Sequence, residues 1–281
     1  MIKTICVAGA GTMGSGIALV AAQSGFNTLL FDLNSQVLEK AFTTIQINIK
    51  QLTDKRKITV EEGRLILKRI HFTSEINDCI ADLFIEAIIE KAAEKIKLFN
   101  RVATFNKTVS IFATNTSSLP VSIIQAGVNH PERVVGMHFF NPAPIMKLVE
   151  VVKGHQTSHA TAQSIYELCK AMGKIPVYCN DSPGFIVNRV ARHYYLEAMK
   201  IVESGFATIE NVDALMEASG FKMGPFKLMD LIGIDVNLAV SESIYDAFEQ
   251  EQRFAPSALQ VEKVARGELG RKTGKGFYNY S

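Results

Sequence analysis

The sequence predicts an α/β domain with a doubly wound, mostly parallel sheet, followed by an all-helical C-terminal domain. Short apolar runs rich in β-branched residues alternate with helical patterns through the first half of the chain, which is typical of βαβ units. A glycine-rich turn follows the first of these runs. Beyond residue 184 only helical patterns remain until the last few residues, so we expect no second sheet.

The first domain is expected to alternate strands with helices. The helix near 91–105 illustrates the pattern, because Ile96, Phe99 and Val102 share one face that would pack on a sheet. The predicted strands are 4–8, 28–32, 83–87, 109–113, 134–139 and 148–152. The predicted helices lie near 14–24, 36–52, 60–69, 91–105, 120–126 and 159–172.

The second domain is predicted from a helix start at Asp181-Ser182-Pro183-Gly184, with Ser182 as the N-cap and Pro183 in the first helical position. Thr208 is predicted to cap a helix that Gly220 ends. Further helices are expected over 226–249 and 256–267. The two domains are therefore assigned to residues 1–183 and 184–281.

Length and composition suit a globular protein of two domains, with 281 residues, 47% of them hydrophobic and 21% charged. The net charge of +2 is too small to indicate nucleic acid or an anionic membrane as a partner. No apolar run reaches the roughly 18 residues that a membrane helix needs, and no signal peptide is expected. The four cysteines lack C-x-x-C spacing, so we expect reduced thiols in a cytoplasmic protein, without a metal or a disulfide framework.

The glycine-rich turn is Gly9-Ala10-Gly11-Thr12-Met13-Gly14, a G-x-G-x-x-G motif between a predicted strand and a predicted helix. The second strand ends in Asp32, 18 residues beyond Gly14. Glycines allow close approach to a pyrophosphate at a helix N-terminus, and an acid at this distance can bind a ribose hydroxyl. These features predict a Rossmann-type domain that binds NAD rather than NADP, because a carboxylate repels a 2′-phosphate. The alternative is a tight turn with Asp32 as a helix cap.

A histidine and a glutamate are candidates for proton transfer. The last two predicted strands are joined by Asn141-Pro142-Ala143-Pro144, where the chain must turn. An antiparallel pair centred on this turn would place His138 opposite Glu150, with Cβ atoms about 5 Å apart. The carboxylate would fix the imidazole tautomer and leave the other nitrogen as a base. Alternatively, His138 is a satisfied core histidine and Glu150 pairs with a lysine such as Lys147.

With these features the chain resembles the short 3-hydroxyacyl-CoA dehydrogenases, including the bacterial 3-hydroxybutyryl-CoA enzymes, over essentially its whole length. The resemblance implies hydride transfer between NAD and C3 of an (S)-3-hydroxyacyl-CoA, in a homodimer whose helical domain contributes to the substrate cleft and the dimer contact. The stretches that carry it are 8–16, 115–119, 136–142, 146–151, 181–189, 223–225 and 270–278.

The resemblance also implies individual roles. His138 would be the general base in the oxidation and the acid in the reverse direction, and Glu150 would orient it. Ser117 and Asn188 would hold the substrate oxygens and the nicotinamide side, although the residues alone favour a strand-end turn and an exposed helix position. The positions implied to contact the cofactor or its surroundings, besides the glycine loop, Asp32 and Ser117, are Glu90, Lys95, Asn115, Asn141 and Lys272.

For the CoA moiety the matching position is Lys55, within Lys55-Arg56-Lys57, where three cations suit phosphates. The alternative for Lys55, Lys95 and Lys272 is a solvated surface charge. His193, Lys222 and Asn48 depart from residues that are frequent in the family, which leaves the acyl-chain preference and the CoA contacts open.

Three other functions compete. The β-hydroxyacid dehydrogenases share the glycine loop and a helical second domain, but they use a catalytic lysine that has no counterpart here. A free hydroxy-acid or sugar-acid dehydrogenase is a second rival. A non-catalytic dinucleotide-binding protein is the third, although Ser117, His138, Glu150 and Asn188 are all present.

Overall fold

The computed structural model describes residues 2–280, which fold as two compact units that divide between Ser182 and Pro183. The first unit holds one eight-stranded sheet in the order β3-β2-β1-β4-β5-β6-β7-β8. Neighbouring strands are parallel throughout, except that β6 and β7 are antiparallel. This is the predicted doubly wound sheet. The strands are β1 Thr4–Ala8, β2 Asn27–Phe31, β3 Ile70–Thr73, β4 Leu83–Glu86, β5 Ile111–Thr114, β6 Val134–Phe139, β7 Leu148–Lys153 and β8 Ile175–Asn180.

The helices of the first unit connect these strands, and β1 and α1 form the centre of its core. Ile5, Val7 and Ile17 are completely buried there. The second unit is helical, as predicted. The helices of the first unit are α1 Thr12–Gln23, α2 Ser35–Asp54, α3 Val60–Lys68, α4 Ala92–Ala103, α5 Val121–Ala126 and α6 His159–Ala171. Those of the second are α7 Val187–Glu203, α8 Ile209–Ala218, α9 Pro225–Ile232, α10 Ile234–Ala247 and α11 Ala258–Ala265.

Two strands escaped prediction. β3 has only four residues and lies at one edge of the sheet, with His71 exposed, so its sequence resembles a loop. β8 lies at the other edge and contains Pro176, a residue that sheets accept only at such positions.

The predicted helix start at Ser182 and Pro183 is wrong, because α7 begins at Val187. Gly184 and Phe185 have φ angles of 70° and 49°, in the left-handed region that a right-handed helix excludes. Thr208 caps α8 as predicted, since its side chain accepts a hydrogen bond from the Asn211 amide. The single helix expected over 226–249 is divided by Gly233, whose φ is 105°.

The glycine turn is built as its motif requires. The Gly9 amide donates to the Phe31 carbonyl at 2.8 Å, with φ at 98°. A Cβ on Gly9 would overlap the Ala87 carbonyl, and a Cβ on Gly14 would overlap the Gly9 carbonyl. Close backbone packing of β1, α1 and the end of β4 therefore excludes any side chain at these two positions.

No helix within residues 2–280 combines the length and the apolar character that crossing a membrane would require.

Asp82 joins the starts of β1 and β4, because its Oδ2 accepts the amide hydrogens of Lys3 at 2.9 Å and Thr4 at 3.0 Å. The hydrogen bond from the Lys3 amide, followed by that from Thr4 and the charge of Lys107, holds the pKa of Asp82 below its usual value despite partial burial. A carboxyl group with a lowered folded-state pKa stabilises the fold above its unfolded pKa, and this contribution is lost as pH falls through the folded pKa.

We therefore expect Asp82→Asn to lower the free energy of unfolding at pH 7 by about 1 kcal/mol, measured by urea denaturation. The difference from the wild type should shrink as the pH falls below about 4. The matched control is Asp54→Asn, because Asp54 forms an exposed pair with Lys50 at 2.8 Å and exposed pairs contribute little. If the difference in the free energy of unfolding between Asp82→Asn and the wild type were the same at pH 2 as at pH 7, it would contradict a stabilising role of the ionised Asp82 carboxylate.

Candidate active site

The glycine turn and Asp32 line one cleft of about 640 Å³ in the first unit. Asp32 is held at its wall, because Oδ2 accepts from the Ala10 amide at 2.8 Å and Oδ1 from the Asn34 amide at 3.0 Å. The N-cap of α2 is Asn34, whose side chain accepts from the Gln36 amide. The structure therefore does not support the alternative that Asp32 is a helix cap.

This cleft fits a dinucleotide. Gly11 is the N-cap of α1 and has no side chain to occupy the first-turn amides of Thr12 and Met13, so a pyrophosphate can approach them. Val37 and Leu98 give the same cleft apolar walls suited to an adenine ring. The Asp32 carboxylate retains lone pairs for a ribose hydroxyl.

His138 and Glu150 form a buried cross-strand pair. They are direct partners in the antiparallel register of β6 and β7, as predicted, and His138 Nδ1 lies 2.7 Å from Glu150 Oε2. Only 5% of His138 and 1% of Glu150 are exposed. An ionised carboxylate is only an acceptor, so Nδ1 carries the proton and Nε2 is the basic nitrogen of the neutral imidazole. Glu150 therefore has His138 as a hydrogen-bond partner in the described structure.

Asn115 connects the ends of three neighbouring strands. Its amide donates to the Glu86 carbonyl at 2.8 Å, and its Oδ1 accepts from the Phe139 amide at 2.9 Å. The residue next to His138 is thereby fixed to the end of β5. This contact places Asn115 at the carboxyl edge of the sheet, where open α/β sheets bind their ligands.

Ser117 lies in a turn that wraps around the Glu90 carboxylate. Glu90 Oε1 accepts from Thr116 Oγ1 at 2.5 Å and from the amides of Ser117 at 3.1 Å and Ser118 at 3.3 Å. Ser118 Oγ adds a contact at 3.2 Å. One carboxylate oxygen therefore sets the conformation of the turn that carries Ser117.

Lys95 is buried, so its interpretation as a surface charge is wrong. Only 1% of Lys95 is exposed, and its Nζ lies 2.7 Å from Glu86 Oε1 and 2.9 Å from Glu90 Oε2. Glu86, at the end of β4, is completely buried and also accepts from Thr114 Oγ1 at 2.7 Å. Lys95 therefore links a core carboxylate to the carboxylate that holds the Ser117 turn.

The two carboxyl groups respond differently to this environment. Burial raises the pKa of Glu86 above its usual value, although Lys95 and the hydrogen bonds from Thr114 and Ile88 oppose the change. Burial also works against ionisation of Glu90, but the charge of Lys95 and the bonds from Thr116 and Ser117 hold the pKa of that carboxyl below its usual value. The pKa values of the two carboxyl groups that share Lys95 are therefore shifted in opposite directions.

The remaining predicted residues lie outside this network. Asn141 lines a smaller cavity beside Gly11 and Thr12 of the glycine loop. Asn141 is exposed and precedes a cis peptide bond to Pro142, and Lys55 is exposed at the end of α2. Asn188 is the second residue of α7. Lys272 is half-exposed and pairs with Asp235, with Nζ–O distances of 2.5 and 2.7 Å. Their roles toward NAD and CoA stay predictions.

The residues in which the sequence departs from the family differ in their surroundings. His193 lies beside Phe254, with ring centroids 5.2 Å apart, and Lys222 is exposed. Asn48 lines a second cavity of about 350 Å³.

Sequence reasoning missed Glu86, Thr114 and Thr116, which form the inner part of this network. The available signal was Glu86 itself, an acid that ends the apolar run Leu83-Phe84-Ile85. An acid in that place at the carboxyl edge of a parallel sheet requires a partner. The two threonines carry no comparable signal, because threonine is ordinary in strands and turns.

A dinucleotide cleft and a buried histidine–carboxylate pair on one Rossmann-type sheet define an NAD-dependent dehydrogenase. Residues 4–182 match the model of the 3-hydroxyacyl-CoA dehydrogenase NAD binding domain, and residues 184–280 match the C-terminal domain of the same family. The chain belongs to the 3-hydroxyacyl-CoA dehydrogenase family.

Known relatives agree with this assignment. The chain is 45% identical to 3-hydroxyadipyl-CoA dehydrogenase of Escherichia coli over 99% of its own length, but spans only 59% of that relative. It is 40% identical to a probable 3-hydroxybutyryl-CoA dehydrogenase of Deinococcus radiodurans, over 98% of this chain and 99% of the relative. The crystal structure of (S)-3-hydroxybutyryl-CoA dehydrogenase from Ralstonia eutropha superimposes with a TM-score of 0.95, at 37% identity, covering 100% of both chains.

We expect Lys95→Met to lower the free energy of unfolding by about 3 kcal/mol, because it leaves Glu86 and Glu90 without their cation. Adding Glu86→Gln should recover part of this loss, since it removes the most deeply buried unpaired charge. The control is Lys91→Met, an exposed position at the N-cap of α4. Equal losses in the Lys91 and Lys95 variants, measured by urea denaturation, would show that the network does not stabilise the fold.

Proposed function

We propose that this protein transfers a hydride between NAD and C3 of a 3-hydroxyacyl-CoA, with (S)-3-hydroxybutyryl-CoA and acetoacetyl-CoA as the preferred pair. The observation that carries the proposal is the buried His138–Glu150 pair at 2.7 Å, on the sheet that also bears the dinucleotide cleft. Oxidation of a hydroxyl to a ketone needs a general base that accepts the hydroxyl proton. It also needs a second group that keeps this base in the correct orientation.

In the oxidation, Nε2 of His138 takes the proton of the C3 hydroxyl, and in the reduction it returns one. Glu150 accepts the Nδ1 hydrogen bond throughout and stabilises the imidazolium that forms. Ser117, in the turn held by Glu90, and Asn188 hold the substrate oxygens. NAD, when bound, supplies the hydride acceptor or donor. Lys55 and its neighbours Arg56 and Lys57 are exposed cations that suit the phosphates of CoA.

The test is oxidation of NADH with acetoacetyl-CoA, compared with free acetoacetate and with NADPH as the reductant. We expect turnover only with the thioester and NADH, because CoA supplies the binding energy and Asp32 repels a 2′-phosphate. Including 3-oxoadipyl-CoA tests the acyl chain, since the E. coli relative is named for that six-carbon acid. Faster turnover with 3-oxoadipyl-CoA would change the proposed acyl group of the substrate, but the proposed reaction would stay the same.

His138→Gln is the matched variant for this assay. It should lower turnover by roughly 10²–10⁴-fold while NAD binding, measured by calorimetry, stays nearly intact. Normal turnover in this variant would remove His138 from the mechanism. Turnover of the free acid by the wild type would instead favour a hydroxy-acid or sugar-acid dehydrogenase, and NAD binding without any turnover a non-catalytic nucleotide-binding protein.

We also propose that the protein is a cytoplasmic homodimer. The four buried free cysteines are compatible with a reducing compartment. Several large apolar side chains of the second unit are exposed, among them Phe206 at 86% and Leu215 at 67%. A second subunit could cover these side chains. Light scattering should give about twice the chain mass of 30.9 kDa, and a monomeric mass at micromolar concentration would contradict the proposal.

A further inference from the structure

The turn between β6 and β7 is tightly closed. The Pro142 carbonyl accepts the amide hydrogens of Ile145 and Met146, both at 2.9 Å. The turn begins four residues after His138, and one of its faces lines the cavity of about 350 Å³. The glycine-loop residues Gly11 and Thr12 form another wall of this cavity, so the conformation of the turn sets the cavity's width.

A buried lysine holds this turn from the interior. Lys174 is only 8% exposed, and its Nζ donates to the carbonyl of Ala143 at 2.5 Å and to that of Met146 at 2.9 Å. It forms no ion pair with another group in the part of the chain that the structure describes. Its full charge is therefore directed at two carbonyl dipoles of the turn.

Burial of the Lys174 ammonium group is unfavourable by itself. Burial lowers the pKa of Lys174 from its usual value, while Cys169 acts in the opposite direction. Gly173, with φ at 69°, turns the chain from α6 into β8 so that Lys174 enters the core directly below the turn. A buried ammonium group is retained only where charged hydrogen bonds compensate for its desolvation.

Helix α1 supports the turn from its other side. Ala143 is 2% exposed, and a Cβ built on Gly16 would lie 3.2 Å from Ala143 Cβ and 3.3 Å from Pro144 Cδ. The turn is therefore held between α1, which carries the glycine loop, and the ammonium group of Lys174.

The third wall of the cavity belongs to α2, where Val37 and Ala41 lie beside three polar residues. Lys40, Thr44 and Asn48 line it at intervals of four residues, so they form one stripe along the helix. Lys55, the C-cap of the same helix, lies seven residues beyond Asn48, which corresponds to about 10 Å along the helix axis. An extended ligand with amide groups and terminal phosphates, such as the arm of CoA, matches this stripe.

We propose that Lys174 is a positioning residue that holds the 142–146 turn against α1 and so keeps the cavity open for the CoA arm of the substrate. The inference rests on the proposed function and adds a residue that does not touch the reacting atoms. His138 and Glu150 lie on the strands rather than in the turn, so the chemical step should depend little on Lys174.

The test compares Lys174→Met and Lys174→Arg with Lys170→Met, a control on α6 whose side chain is 55% exposed and pairs with Glu167 at 3.2 Å. We expect Lys174→Met to raise the KM for acetoacetyl-CoA about tenfold and to change kcat by less than about twofold. Lys174→Arg should recover part of the KM, because it keeps a donor. Lys170→Met should match the wild type.

A second variant approaches the turn from the opposite side. Gly16→Ala brings a methyl group against Ala143 and Pro144, and we expect it to raise the same KM even if Lys174→Met fails to fold. An unchanged KM in the folded variants would overturn the proposal, as would a loss confined to kcat.

Calorimetric binding of acetyl-CoA, which needs no turnover, should weaken about tenfold in Lys174→Met. If the wild type binds acetyl-CoA but reduces no thioester, the proposed function fails while this comparison still tests Lys174.

Discussion

The antiparallel pairing of β6 with β7 is the constraint on which the site depends. In a sheet that is otherwise parallel, this one reversal brings two residues twelve positions apart into direct opposition. Because the sheet is covered at this point, Glu150 is inside the protein and requires a hydrogen-bond donor. His138 is that donor, so one contact both satisfies the buried carboxylate and orients the imidazole that we propose as the base.

The same rule organises the Glu86–Lys95–Glu90 network. The buried ammonium group of Lys95 pairs with the completely buried carboxylate of Glu86 and with Glu90, whose side chain is 37% exposed. The desolvation of Lys95 and Glu86 is offset only while this geometry is maintained. The outer carboxylate then has fixed lone pairs, which accept the amides of the Ser117 turn. A buried ion pair is therefore connected to the conformation of a loop at the carboxyl edge of the sheet.

Prediction from sequence succeeded where a signal is local. The glycine motif, the acid at the end of β2 and the opposition of His138 and Glu150 follow from spacing and from the period of two in a strand. It failed where the outcome depends on distant residues. The burial of Lys95 is decided by Glu86 and Glu90 together, and a single lysine in a helical pattern gives no sign of them. The start of α7 depends on the left-handed conformation of Gly184 and Phe185. The sequence does not reveal this conformation, because Ser182-Pro183 is itself typical of a helix start.

Two segments at the carboxyl edge of the sheet are each held by one charged side chain. Glu90 holds the Ser117 turn, and Lys174 holds the 142–146 turn. A hydrogen bond from a charged group has a narrower preferred geometry than an apolar contact. Loops fixed in this way need little rearrangement when charge develops in a reaction beside them. The framework is therefore suited to a proton and hydride transfer, in which small displacements of the reacting groups have large effects on the rate.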